Sequence, residues 1–71
     1  LDVGMMVSLT LVVPVLNEEI LLEEFMAKTE RDLDEAGIDW ELFMVNDGST
    51  DRSLEIMQAF AKDRPRVIVI D

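Results

Sequence analysis

Three short apolar runs alternate with two stretches of helical periodicity, and that alternation constrains this chain more than any other feature. Ser8 to Val13 reads Ser-Leu-Thr-Leu-Val-Val, Trp40 to Val45 reads Trp-Glu-Leu-Phe-Met-Val, and Arg66 to Asp71 reads Arg-Val-Ile-Val-Ile-Asp. Runs of this length and composition, bounded by turn residues, predict strands. Between the first two, Leu22, Phe25, Thr29, Leu33 and Ala36 recur at spacings of 3, 4, 4 and 3, which is one stripe of an amphipathic helix. Glu18 and Glu19 fall where a helix N-terminus favours negative charge. Gly37 suits the left-handed residue that closes a helix. A second helix is expected over Asp51 to Lys62, capped by Ser49 or Thr50 and stopped by Pro65. The order β-α-β-α-β predicts an α/β fold with parallel pairing and right-handed crossovers.

Strand order then decides whether the sheet is complete. The runs are apolar without strict alternation, so they want cover on both faces. In the order 2-1-3 the two right-handed crossovers place their helices on opposite faces. In the order 3-2-1 both helices fall on the same face and the other is bare. A chain of the second kind needs more sequence or a partner, and in isolation it is expected to form a homo-oligomer through its open sheet.

Size and composition narrow the function classes. At 71 residues and 8.1 kDa the chain is at most one small domain or a piece of a larger one. Six basic residues against 16 acidic ones give a net charge of −10, which disfavours nucleic acid and anionic membrane surfaces. Residues 18–36 hold eight of those acids and two basic residues, the pattern of a solvated helix face. There is no cysteine and no histidine, so disulfides, thiolate metal sites and Ser-His-Asp or Cys-His chemistry within this chain are excluded. No apolar run reaches the length of a membrane span, and Leu1 to Met6 lacks the layout of a signal peptide. The first residue is Leu1; a processed or excised chain is expected, with Met5 and Met6 as candidate native starts. The methionines read as core filler and Trp40 as a strand-edge packing residue.

In a parallel α/β sheet, ligands bind beyond the carboxyl ends of the strands. Two motifs lie there: Pro14-Val15-Leu16-Asn17-Glu18-Glu19 after the first strand and Asn46-Asp47-Gly48-Ser49-Thr50-Asp51 after the second. Each has a plain structural reading. Asp47 to Thr50 is also a turn with a helix cap, Pro14 also ends a strand, and Asp51 reads as a first-turn helix residue. No Gly-x-Gly-x-x-Gly follows the first strand, against a dinucleotide-binding domain. A receiver-like phosphoacceptor domain would want an acidic pair where Pro14 to Asn17 stand.

Taken together, strand–Pro-Val-x-Asn-Glu-Glu, a helix, then strand–Asn-Asp-Gly-Ser-Thr-Asp and a second helix resemble the start of a family 2 glycosyltransferase. The nearest branch is the dolichyl- or undecaprenyl-phosphate sugar transferases. The resemblance covers Ser8 to Asp71 and implies the N-terminal, nucleotide-binding part of a GT-A (Rossmann-like) fold with strand order 3-2-1, as one partial domain over residues 1–71. It implies a nucleotide-sugar donor of the UDP or GDP type and, for the branch named, a polyprenyl phosphate acceptor. Pro14, Val15 and Leu16 would line the nucleoside pocket, Glu18 would approach the ribose or base, and Asp47 beside Gly48 would accept hydrogen bonds from the base. An ionised carboxylate is acceptor-only, so it suits the N–H groups of uracil or guanine, and Gly48 lets the chain turn sharply beside it. Many relatives carry Tyr at the Leu16 position and Asp at the Asn46 position, so ring stacking and a second charge are missing here. The family's Asp-x-Asp, which holds Mg²⁺ or Mn²⁺, is expected downstream. Asp32-Leu33-Asp34 matches its letters but lies within the first helix, where it would point to solvent. The catalytic base also lies downstream, so these 71 residues alone are expected to be inactive. The implied location is cytoplasmic, at the cytoplasmic face of the membrane for a full-length protein. The competing reading is a non-catalytic module that self-associates, with weak or no nucleotide binding.

Overall fold

The computed structural model describes residues 8–71; the suggested starts at Met5 and Met6 lie outside them. Strand β1 is Ser8–Val15, helix α1 Leu22–Glu35, strand β2 Asp39–Asn46, helix α2 Ser53–Ala61 and strand β3 Val67–Ile70. The three strands form one parallel sheet in the order β1-β2-β3, which is the expected 3-2-1 order read from the other edge. Ser8 pairs with Asp39 and Val15 with Asn46, so the two strands end level. The receiver-like reading, which needs 2-1-3, falls with this order.

Several boundaries differ from the expectation. Strand β1 continues through Pro14 to Val15. Proline has no N–H to give a ladder, but β1 lies at an edge of this sheet, where that loss is tolerated. Helix α1 begins at Leu22 rather than beside Glu18, because Leu21 and Leu22 donate their N–H groups to the Glu18 carbonyl at 3.1 and 2.9 Å and make a turn first. The acids of its first turn are Glu23 and Glu24. Its inward stripe is Leu22, Met26 and Leu33, whereas Phe25 is 44% exposed. Ser49 and Thr50 do not cap α2, whose N-cap position is Arg52; Asp51 does the work, accepting the Ser53 N–H at 2.9 Å. The end of α1 follows expectation. Gly37 has φ +71°, its N–H meets the Asp34 carbonyl, and the Ile38 N–H meets that of Leu33, each at 3.1 Å. This is the Schellman arrangement, and Leu33 and Ile38 both pack on the core.

The buried core is Val15, Leu22, Met26, Trp40, Leu42, Met44, Met57 and Val67. Met26, Met44 and Met57 are fully buried, as their flexible side chains suit the irregular space between two helices and a sheet. Trp40 is 4% exposed and its indole N–H donates to Asp34 Oδ1 at 2.8 Å, so Asp34 turns to the sheet and not simply to solvent. Arg64 meets both oxygens of Glu30 at 3.1 and 2.9 Å and lies 4.0 Å from the centroid of the Phe60 ring, tying α1 to the end of α2.

All core residues of the strands are on one side. Side chains alternate across a strand, so with Trp40, Leu42 and Met44 turned to the helices, Phe43 and Val45 turn away, and so do Val12 on β1 and Ile68 and Ile70 on β3. None of these five packs against the core cluster. Val12 is 63% exposed and Ile70 46%. Among the described residues, the bare face that the 3-2-1 order requires is present.

Candidate functional site

The level ends of β1 and β2 set two loops side by side, residues 16–21 and 47–52. The strand ladder continues one step into them, because the Asp47 N–H donates to the Val15 carbonyl at 2.8 Å. Gly48 then turns the chain at φ +85°. A Cβ there would meet nothing within 4 Å, so the demand for glycine is one of backbone conformation and not of space.

The two loops are joined by a polar network. Asn17 has φ +51°, a left-handed conformation that asparagine tolerates better than most residues. Its Oδ1 accepts from the Thr50 N–H at 2.8 Å, the Asp51 N–H at 3.3 Å and the Thr50 hydroxyl at 3.5 Å. Its own N–H donates to Ser49 Oγ at 3.0 Å, which in turn donates to the Val15 carbonyl at 3.3 Å. The Glu18 N–H donates to Ser53 Oγ at 2.9 Å, and the Glu19 N–H to Asp51 Oδ2 at 3.2 Å. Ser53 is fully buried, so its hydroxyl needs such a partner. Asp51 collects bonds from the first loop and from the start of α2; the Ser53 hydrogen bond foremost, then those from the Ser53 and Glu19 backbone, hold its carboxyl below the usual range against an opposing effect of desolvation.

The six residues singled out from the sequence divide into two groups. Pro14, Val15 and Glu18 line a cleft of about 290 Å³ with Val13, Leu21, Leu22 and Phe25. Within it Val15 is buried against the core at 2% exposure, and its carbonyl is taken by the Asp47 N–H and the Ser49 hydroxyl, so it shapes the floor of the cleft rather than offering a polar group. Leu16, Asp47 and Gly48 stand outside that cleft, exposed on the loops. The carboxylates of Asp47 and Glu18 have no hydrogen-bond partner among the described residues, whereas Asp51 serves the backbone. The turn-and-cap work that Asp47 was open to doing is thus done by Asp51 and by Asn46, whose Oδ1 accepts the Ser49 N–H at 3.1 Å.

Asn46 also donates through Nδ2 to Asp71 Oδ1 at 2.8 Å. An aspartate at this position would face Asp71 with like charge, so the missing second acid has a local physical reason. Among the described residues no three acids gather as a metal site. Asp32 accepts from Lys28 Nζ at 2.7 Å and Asp34 from Trp40; the Lys28 hydrogen bond chiefly lowers the Asp32 pKa. This Asp-x-Asp does not fit a divalent cation. The residues that sequence reasoning missed are Asn17, Ser49 and Ser53 as loop-joining groups, and Asp71 as a partner. Their only signal was the density of Asn, Ser, Thr and Asp in the two motifs, residue types that bond to nearby backbone.

A parallel sheet with helices on its crossovers and two acid-bearing loops at its carboxyl edge is the beginning of a Rossmann-like α/β protein. Residues 10–71 match the family described as Glycosyl transferase family 2, and the chain belongs to that family. It is 40% identical over 65 residues to an uncharacterised glycosyltransferase of Bacillus subtilis (strain 168), covering 92% of this chain and 20% of that protein. It is 42% identical over 62 residues to the undecaprenyl-phosphate 4-deoxy-4-formamido-L-arabinose transferase of Pseudomonas aeruginosa (strain LESB58), covering 86% of this chain and 18% of that protein. It is 34% identical over 70 residues to a dolichyl-phosphate beta-glucosyltransferase of Trichomonas vaginalis, covering 92% and 22%. The likeness to polyprenyl-phosphate sugar transferases seen in the motifs therefore holds, and the chain spans about a fifth of the length of these relatives. No helix among the described residues is long and apolar enough to cross a membrane.

Proposed function

We propose that this chain carries the nucleoside end of the donor site of a glycosyltransferase that moves a sugar from a UDP- or GDP-linked donor to a polyprenyl phosphate at the cytoplasmic face of the membrane. The observation that supports it best is the unpartnered Asp47 carboxylate, held at the carboxyl edge of the sheet while its neighbours satisfy the turn. Asp47 accepts the N–H groups on the pairing edge of the base, Pro14 and Leu16 give apolar contact to the nucleoside, and Glu18 faces the ribose hydroxyls. Mg²⁺ or Mn²⁺ would neutralise the diphosphate, and the acids described here do not form its site. No transfer step is assigned to this chain alone. The names of the polyprenyl-phosphate relatives supply the acceptor class.

The test is an amide-NMR titration with UDP and with GDP, on the chain and on Asp47→Ala. Shifts are expected at Leu16, Glu18, Asp47 and Gly48, with affinity falling about tenfold to a hundredfold in the variant, as loss of a charge-assisted hydrogen bond implies. Shifts unaffected by Asp47→Ala, or confined to the helices, would overturn the assignment.

The bare sheet face favours a second reading, in which the isolated chain associates with copies of itself. Five apolar side chains without core partners lie on one surface, and α1 and α2 carry much of the acid on the opposite side. Face-to-face copies would keep those helices apart.

A further inference from the structure

Glu18 and Asp47, the two carboxylates assigned to the nucleoside, sit on different loops and do not touch each other through any hydrogen bond. Of the residues that join one loop to the other, Asn17 makes the most bonds. Asn17 precedes Glu18 and reaches across to three donors on Thr50 and Asp51, while its N–H holds Ser49. Asn17 adopts φ +51° to do so, a conformation that costs most residues energy. The same turn points the next two N–H groups at Ser53 and Asp51. Asn17 thus makes four of the bonds at this junction, beside those of the Glu18 and Glu19 N–H groups and of the Val15 carbonyl.

We propose that Asn17 is a positioning residue. It makes the two loops one rigid unit and so fixes the separation of Glu18 from Asp47 before any nucleotide arrives. Preorganisation of this kind saves the ordering cost that two independent loops would incur on binding. The requirement on the side chain is specific. It must accept through one oxygen while its backbone lies in the left-handed region, which Asn and Asp meet and which Ala, Gln and Ser do not meet equally. The role rests on the nucleoside reading above for its function, but the rigid coupling of the loops does not.

Two variants separate the side chain from the backbone. Asn17→Gly keeps the positive φ without strain and removes the acceptor. Asn17→Asp keeps both the conformation and the oxygen. Amide hydrogen exchange at Thr50 and Asp51, without nucleotide, reads the coupling directly. In Asn17→Gly, protection at those two amides is expected to fall at least about tenfold while that of the β2 core amides is retained; in Asn17→Asp it is expected to stay close to the starting protein. UDP and GDP titration of the same samples is expected to show affinity lowered about tenfold in Asn17→Gly and recovered in Asn17→Asp. Unchanged protection in Asn17→Gly would overturn the coupling. Lost protection with unchanged nucleotide affinity would overturn the positioning role. If the parent chain binds neither nucleotide, the nucleoside reading fails, and exchange at Thr50 and Asp51 still decides whether Asn17 couples the loops. Should Asn17→Gly fail to fold, Ser49→Ala removes a different bond of the same junction; its Asn17 amide is expected to lose protection, and full protection there would count against the junction.

Discussion

The two faces of the sheet are built from similar residues and meet different surroundings. Leu42, Met44 and Val67 face α1 and α2 and are at most 5% exposed. Val12, Phe43 and Ile70 occupy alternate positions on the other face of the sheet and have no packing layer among the described residues. Apolar content alone does not define a core: the crossovers decide which half of each strand is covered, and two right-handed crossovers in a 1-2-3 sheet choose the same side. The covered half holds this small fold together, and the other half is apolar surface awaiting a second layer.

Substitutions can sharpen that contrast or break it. The largest effect is expected from Met44→Ala or Leu42→Ala, which hollow out the covered side. Each should lower stability by about 2–5 kcal/mol in a urea melt, whereas Val12→Ala should change it by about 0.5 kcal/mol or less. Equal losses on the two faces would mean that the bare side is covered in solution. The next effect concerns association. Val12→Lys with Ile70→Lys is expected to lower the mass seen by light scattering to that of one chain, with the melt little changed; an oligomer that survives both substitutions does not use this face. Smaller again is a pH effect at the carboxyl edge. The Asp51 pKa is lowered in the fold, so its contribution is complete above the unfolded value, about pH 4, and is lost as pH falls through the folded value. Asp51→Asn should therefore melt lower at pH 7 and lose part of the acid-dependent decline below about pH 4; an identical acid limb in both proteins would sink this account. Least of all is expected from Lys28→Ala. The Lys28–Asp32 pair is at 2.7 Å, with side chains 64% and 53% exposed, and exposed pairs contribute little and are screened by salt. A shift in the melt that persists at high salt would show more coupling there than the geometry implies.

Much of this architecture is legible in the residues. The three strands, both helices, the glycine close of α1 and the parallel pairing follow from local pattern and the alternation of elements; the 3-2-1 order follows only from the family resemblance. The misses share a cause. Phe25 fits a helical stripe as well as Met26 does, and only the position of the sheet chooses between them. Pro14 reads as a strand end unless the strand is known to be at an edge. Ser49 and Thr50 are good caps by type, but α2 starts only at Ser53 and their hydroxyls are engaged with Asn17 and Val15, so the bond to the first helical N–H comes from Asp51. At the candidate site, the motifs mark the correct two loops. Which acid is free and which is used cannot be read from letters, since Asp47 and Asp51 look alike until their partners are in place.

The amide of Asn46 accepts from Ser49 and donates to Asp71, so the ends of β2 and β3 share one neutral group. Positions 46 and 71 are therefore coupled electrostatically. A carboxylate at the first turns an attraction into a repulsion unless the second changes as well, and homologues that gain an acid beside Asp47 are expected to give up the one at the end of β3.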